Sequence, residues 1–202
     1  VCLVEGLDLL SIVSGVFTFW LNKVFDLCIW MEFKMLARSK FFVRLSLMIT
    51  FNNLCVSNFD SLLEQILVWR EKYNDKAAKE RGNINQPIPI QRIQMDTPYL
   101  KEPPHYDMNI LPKEEFIPYM EKHLQFIKDN QDDNNRTKFT GLEYEKFKRV
   151  VEYMRTTHYE PRKLEQARRD FHNWFKEFDR RRNCNLVETF PELEGFYNDC
   201  GK

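Results

Sequence analysis

Two short apolar segments with a helical pattern between them lie in the first half of the chain. Residues 41–49 (FFVRLSLMI) combine large and β-branched side chains with alternating polar positions, which predicts a strand. Apolar positions at helical spacing follow Asn58 and predict a helix over residues 60–73. After a polar loop predicted at residues 74–86, residues 87–95 (PIPIQRIQM) return to a β-type pattern. Strand, helix and strand in this order form the repeating unit of a parallel α/β sheet.

The second half of the chain has the pattern of helices that pack through aromatic side chains. A proline-rich stretch at residues 98–112 predicts an ordered connection, because proline fixes φ and lacks a backbone donor. Apolar stripes at helical spacing then occupy residues 116–127, 142–154 and 164–178. Thr140 and Glu143 predict a capping box for the second of these helices, and Thr189 and Glu192 predict another before a short last helix.

The charge balance limits the classes of partner that the sequence favours, and the cysteine content indicates the cellular compartment. Lys+Arg and Asp+Glu both number 30, so the formal charge is zero and nothing global favours nucleic acid or an acidic membrane as a partner. The five cysteines are widely spaced without a C-x-x-C pair, which predicts reduced thiols in the cytoplasm. The apolar run at residues 9–21 is shorter than the roughly 20 residues of a membrane-spanning helix, which favours a buried strand or helix.

Familiar catalytic and metal-binding motifs are missing from the sequence. The glycines are scattered, so neither a phosphate-binding loop nor a G-x-S-x-G elbow is formed, and the histidines include no H-x-x-x-H pair. A tract beginning at Asp129 has Asn134 and Thr140 where a calcium loop requires Gly and Glu. The consecutive Arg180, Arg181 and Arg182 either complement the carbonyls at a helix end or contact phosphates.

Three long stretches carry a resemblance to a known family. They are VRLSLMITFNNLCV (43–56), IQMDTPYLKEPPHYDMNILPKEEF (93–116) and FDRRRNCNLVETFPELEGFYNDC (178–200). Together they resemble the C-terminal part of radical SAM proteins of the kind described as twitch domain-containing. The resemblance covers roughly residues 38–202.

The resemblance implies a partial (β/α)6 barrel that holds a [4Fe-4S] cluster and S-adenosylmethionine and generates a 5′-deoxyadenosyl radical, which abstracts hydrogen from a substrate. In that family a C-x-x-x-C-x-x-C motif holds the cluster, and this spacing occurs nowhere in the chain. Neither cofactor site is therefore complete here. Since the chain also begins at Val1, with its first methionine at Met31, we expect a fragment that is inactive alone.

The implied fold is α/β, with the last strands of the partial barrel followed by a mostly α-helical C-terminal extension. Residues 38–100 are expected to form the end of the barrel, and residues 101–202 the helical region. The assignment of residues 1–37 is open. Within them, residues 7–15 are similar to the fourth strand of the family, whereas residues 16–36 do not resemble it and suggest a divergent or frame-altered segment.

The resemblance also implies a set of site residues at the carboxyl ends of the two strands. Thr50, Asn52 and Asn53 are expected on the cofactor side, and Asp96 and Tyr99 near the substrate side. The alternative for each is a turn residue, because Asn and Asp side chains readily bond nearby backbone. No metal ligand and no catalytic residue is assigned.

Two kinds of partner follow from these two interpretations of the chain. As a fragment, it needs the missing N-terminal barrel portion of its parent and acts on an unknown substrate, either a peptide or a small molecule. The alternative is an α-rich binding or interaction module that contacts phosphates, through residues 180–182, or a protein partner. Nucleic acid and membrane are the less favoured partners.

Overall fold

A computed structural model describes residues 45–80 and 93–202. Its helices and strands, in chain order, are β1 (Leu45–Met48), α1 (Phe59–Glu80), β2 (Ile93–Asp96), α2 (Lys113–Asp129), α3 (Gly141–Thr156), α4 (Pro161–Arg182), α5 (Leu186–Thr189) and α6 (Glu194–Cys200). The described residues are thus mostly helical around a small sheet, which is an α/β arrangement.

The two strands pair in parallel, as the order of strand, helix and strand predicts. Leu45 lies opposite Ile93 and Met48 opposite Asp96, and an isolated bridge between Phe51 and Tyr99 continues the pairing beyond both strands. In that extension, the amide of Phe51 donates to the carbonyl of Pro98 at 2.6 Å. The carboxyl ends of β1 and β2 therefore lie side by side.

The sheet has two faces of different character, because successive side chains of a strand point in opposite directions. We call one the covered face: it carries Leu45, Leu47, Ile49 and Phe51 of the first chain segment and Ile93, Met95 and Thr97 of the second. We call the other the open face: it carries Ser46, Met48, Thr50, Gln94 and Asp96. Met95 on the covered face is buried, whereas Met48 on the open face is 63% exposed.

Aromatic side chains from two helices pack on the covered face. The ring of Phe51 meets Phe59 of α1 edge-on at 5.1 Å between centroids and Phe147 of α3 at 5.6 Å, and those two rings stack on each other at 5.2 Å. Such pairs each add about 0.5–1.5 kcal/mol beyond the burial of their area. The same hydrophobic core continues through Phe116 of α2 and Phe171 of α4, so sheet and helices share one core.

The first helix is longer than its sequence pattern predicts. Residues 74–80 were expected in a polar loop, but they complete α1, which ends at Glu80. The tract reads NDKAAKE, and Ala, Lys and Glu are strong helix formers, so helix propensity outweighs the lack of apolar positions. The rest of the predicted loop, together with residues 87–92 of the predicted second strand, lies outside the described residues. So do residues 41–44 of the predicted first strand.

The proline-rich connection is ordered, as predicted, and includes two 3-10 turns at Pro104–Tyr106 and Met108–Ile110. The next helix, α2, begins at Lys113 immediately after Pro112. The capping box predicted for α3 is confirmed: the amide of Glu143 donates to the hydroxyl of Thr140, and the amide of Thr140 donates to the carboxylate of Glu143.

The second predicted capping box is wrong. Thr189 is the last residue of α5 rather than the cap of the final helix, and its hydroxyl donates to the carbonyl of Asn185. The side chain of Asn185 caps α5 instead, because asparagine is a strong N-cap residue and precedes the helix directly. Glu192 lies in a 3-10 turn and contacts residues far away in sequence, as described below.

Within residues 45–80 and 93–202, no helix combines the length and the apolar composition that crossing a membrane requires. The apolar run at residues 9–21, like all of residues 1–37, falls outside the described part of the chain.

Candidate functional site

The carboxyl edge of the sheet carries the five residues predicted from the sequence, and two of them lie on the open face. Thr50 is half-buried there, and Asp96 is 39% exposed. The Asp96 carboxylate accepts the amide of Thr97 at 3.0 Å and pairs with the ammonium of Lys146 from α3 at 2.9 Å. Thr50 and Asp96 thus present a hydroxyl and a carboxylate on the same side of adjacent strands.

The two predicted asparagines are buried and hold the backbone of the following loop. The side-chain oxygen of Asn52 accepts the amide of Leu54 at 2.9 Å and the thiol of Cys55 at 3.4 Å. The side-chain nitrogen of Asn53 donates to the carbonyl of His105 at 2.8 Å, while its oxygen is buried and has no hydrogen-bond partner among residues 45–80 and 93–202. Both therefore anchor the loop. Contact with a cofactor stays a prediction for both.

Tyr99 lies on the other side of its strand from Asp96. Its ring stacks on Tyr153 of α3 with centroids 4.2 Å apart, and the ammonium of Lys101 sits 5.3 Å from the centre of the Tyr99 ring. By strand alternation Tyr99 shares the side of Phe51, its bridge partner. The structure thus brings Thr50 and Asp96 together on one face and leaves Tyr99 on the opposite one.

A buried carboxylate that the sequence did not single out lies beside this edge. Asp107 is 1% exposed, and one of its oxygens accepts the hydroxyls of Tyr153 at 2.6 Å and Tyr159 at 2.9 Å. The other accepts the backbone and side-chain nitrogens of Asn109, both at 2.9 Å. Burial, and then the hydrogen bond to Asp107, raise the pKa of both tyrosines. These bonds fix the connection after β2 to α3.

A buried ion pair closes the outer edge of β2. Arg70 of α1 is fully buried and donates to the carbonyl of Ile93 at 3.1 Å and to the carboxylate of Glu143 at 2.5 Å. The same carboxylate oxygen accepts the amide of Met95 at 2.9 Å. Side chains therefore take up backbone groups of β2 that another strand would otherwise pair with, so β2 is an end strand of the sheet.

The arginine run at the end of α4 is engaged within its own helix. Arg180 and Arg181 pair with Glu177 at 2.7 Å and 2.6 Å, and the guanidinium of Arg182 lies 5.4 Å from the centre of the Phe178 ring. Hydrogen bonds from Arg180 and Arg181 lower the pKa of Glu177 to about 2. This geometry fits the helix-end interpretation, and a phosphate contact stays a prediction.

The described residues do not fit an iron–sulfur cluster. No group of three or more His, Cys, Asp and Glu side chains in residues 45–80 and 93–202 is placed to hold a metal ion. Cys55 and Cys200 are buried and Cys184 is exposed. Burial raises the pKa of the Cys200 thiol to about 11, so this thiol stays protonated at neutral pH, whereas a cluster requires thiolates.

Comparison of the chain with family models, curated proteins and solved structures finds no match. The resemblance to radical SAM proteins therefore stays a prediction that rests on the three quoted stretches.

Proposed function

We propose that this chain is the later part of a radical SAM protein whose preceding part supplies the cluster and most of the S-adenosylmethionine site. The observation that carries the proposal is the parallel β1–α1–β2 unit, in which helices pack on one face while no other described residue packs as a layer on the second. Parallel strands are ordinarily covered on both faces. A parallel sheet that the described residues cover on one face supports a sheet that continues into a larger layer or barrel.

The composition of the open face supports a cavity rather than a second packed core. Apart from Met48, the side chains on it are polar: Ser46, Thr50, Gln94 and Asp96. In open parallel sheets ligands gather at the carboxyl ends of the strands, which is where Thr50 and Asp96 lie. In the parent, Thr50 belongs to the cofactor side and Asp96 to the side of a peptide or small-molecule substrate. The same roles for Asn52, Asn53 and Tyr99, which lie away from the open face, stay predictions.

The closed outer edge of β2 supports its place as the last strand. Since Arg70 and Glu143 occupy that edge, further strands join the sheet only beyond β1, on the side of the earlier sequence. This order matches a partial barrel whose final strand is β2. Among the described residues, Cys184 and Cys200 are free thiols, which supports the proposed reducing, cytoplasmic setting.

A first experiment tests whether the cluster belongs to the preceding part. The chain expressed alone and treated with iron and sulfide under anaerobic conditions should show no stoichiometric [4Fe-4S] absorbance or electron paramagnetic resonance signal. The gene should encode an in-frame C-x-x-x-C-x-x-C motif upstream of the segment. A full cluster in the isolated chain, or the absence of that motif, would contradict the proposal.

A second experiment tests the open face within the parent protein. Thr50→Val removes a hydroxyl from the open face, and Thr97→Val makes the same change on the covered face. There the described part of the chain offers the buried hydroxyl no hydrogen-bond partner. Calorimetry with S-adenosylmethionine should show binding weakened about tenfold for Thr50→Val, the effect of one lost hydrogen bond. Equal affinities in the two variants would remove Thr50 from the cofactor site.

A further inference from the structure

His123 of α2 holds the loop that joins β1 to α1, here called the β1–α1 loop (residues 49–58). The histidine is fully buried, and its Nε2 lies 2.8 Å from the carbonyl oxygen of Val56. Its ring meets the ring of Phe59, the first residue of α1, edge-on with centroids 5.8 Å apart. The side chain of His123 therefore ties the loop to α2 in the interior.

This arrangement fixes the proton on the ring. A carbonyl oxygen only accepts, so Nε2 carries the proton and donates it to Val56. The other nitrogen, Nδ1, is buried and has no hydrogen-bond partner in the described part of the protein. A second proton would place a charge and an unpaired donor in the interior, and both are costly there.

Two charged groups face the histidine, and they oppose each other. Asp60 at the start of α1 attracts a proton to it, and Lys122 of α2 repels one, while the two form an ion pair at 2.8 Å. Burial is the largest influence and lowers the pKa of His123. On the other side of the loop, Glu192 of the C-terminal 3-10 turn accepts hydrogen bonds from Ser57 and Asn58.

We propose that His123 is an acid-sensitive latch, which holds the β1–α1 loop in place while neutral and releases it on taking up a proton. In the released loop a histidine has its ordinary pKa of about 6.5, whereas in the closed loop the pKa is lower. The closed state is therefore fully favoured above about pH 6.5. Below that, each pH unit lowers the closed-to-open ratio by up to about tenfold, until the closed-state pKa is passed. This latch does not depend on the proposed function.

Hydrogen exchange of the loop amides tests the latch. The opening equilibrium of residues 54–58 should rise up to about fivefold between pH 6.5 and pH 5.5 in the unaltered chain. His123→Gln should remove this response, because its side-chain amide donates to Val56 but does not titrate. His158→Gln, at an exposed position, should keep it.

The same response in His123→Gln as in the unaltered chain would overturn the proposal. If that variant does not fold, nuclear magnetic resonance of the unaltered chain decides. The ring of His123 should show the Nε2–H tautomer at pH 7.5 and take up a proton only as the native loop signals disappear. Titration of His123 near pH 6.5 with unchanged loop signals would equally overturn it.

Discussion

The two faces of the small sheet differ in how their side chains are packed, although the same two strands form both faces. The covered face is apolar and carries Phe51 among rings from α1 and α3, so its contacts contribute to stability. The open face exposes Met48 and presents Thr50 and Asp96, so it contributes little to the core of the described residues. Adjacent positions of one strand therefore differ in what a substitution changes. On the covered face we expect a substitution to change folding, and on the open face the proposed function predicts that it changes binding instead.

The largest effect is expected where the sheet is closed at its outer edge. Glu143→Ala leaves the buried Arg70 without its partner, removes half of the capping box of α3 and frees the amide of Met95. Breaking a buried pair costs about 3–5 kcal/mol and a lost cap about 1 kcal/mol, so unfolding free energy should fall by about 4–6 kcal/mol.

Chemical denaturation followed by circular dichroism measures this loss. Glu165→Ala is the matched control, because Glu165 pairs with Arg169 on the surface, where an ion pair contributes about 0–1 kcal/mol. A Glu143→Ala variant no less stable than this control would show that the edge of β2 does not need the carboxylate.

The second effect comes from the centre of the covered face. Phe51→Ala leaves a cavity among Phe59 and Phe147, and such truncations of buried phenylalanine cost about 3–5 kcal/mol. Denaturation midpoints at constant m-value give the loss in free energy. A cost below about 1 kcal/mol would mean that the helices do not pack on this face as tightly as the ring contacts indicate.

A third, smaller effect is expected at the carboxylate beside the sheet. Asp107→Asn weakens the bonds from Tyr153 and Tyr159, and a hydrogen bond to a charged group contributes about 1.5–3 kcal/mol. The two tyrosines should also ionise at lower pH in the variant, which ultraviolet titration of the phenols measures. Unchanged tyrosine titration would show that Asp107 does not set their pKa.

The same bonds predict a loss of stability in alkali. The pKa of Tyr153 and Tyr159 is raised in the folded chain, whereas the unfolded chain releases these protons near pH 10. The stabilising contribution is therefore complete below pH 10 and is lost as the pH rises through the folded-state values. Thermal melts at increasing pH should show a steeper decline for the unaltered chain than for Asp107→Asn.

Patterns within short stretches of the sequence predicted most of the helices and strands. They did not reveal which residues pair across long distances in the sequence. The capping box of Thr140 and Glu143 spans three residues, and the apolar stripe of α4 repeats every turn, so each is visible in a short window. Arg70 and Glu143 lie far apart in the sequence, as do Ser57 and Glu192, and nothing near either partner signals the other. Helix propensity, rather than periodicity, would have extended α1 through residues 74–80.

The sequence predicted where the site residues lie along the strands, but it did not predict which of them are buried. The sequence placed Thr50, Asn52 and Asn53 together at one strand end, yet only Thr50 lies on the open face. Asn52 and Asn53 follow the end of regular alternation, where backbone turns rather than strand geometry decide where side chains point. Tyr99 was grouped with Asp96 because the two are close in sequence, although three positions along a strand lead to the opposite face.

The smallest expected change in unfolding free energy comes from a direct comparison of one methionine on each face. Met48→Ser on the open face should change the unfolding free energy of the isolated chain by less than about 0.5 kcal/mol, because the side chain is already 63% exposed. Met95→Ser, its counterpart on the covered face, should cost several times more, since it buries a hydroxyl in place of an apolar group. Under the proposed function, the preceding part of the parent protein covers the open face, so Met48→Ser should become destabilising there. A negligible effect in both contexts would leave that face exposed in the parent as well, and would remove the main support for a barrel that continues beyond β1.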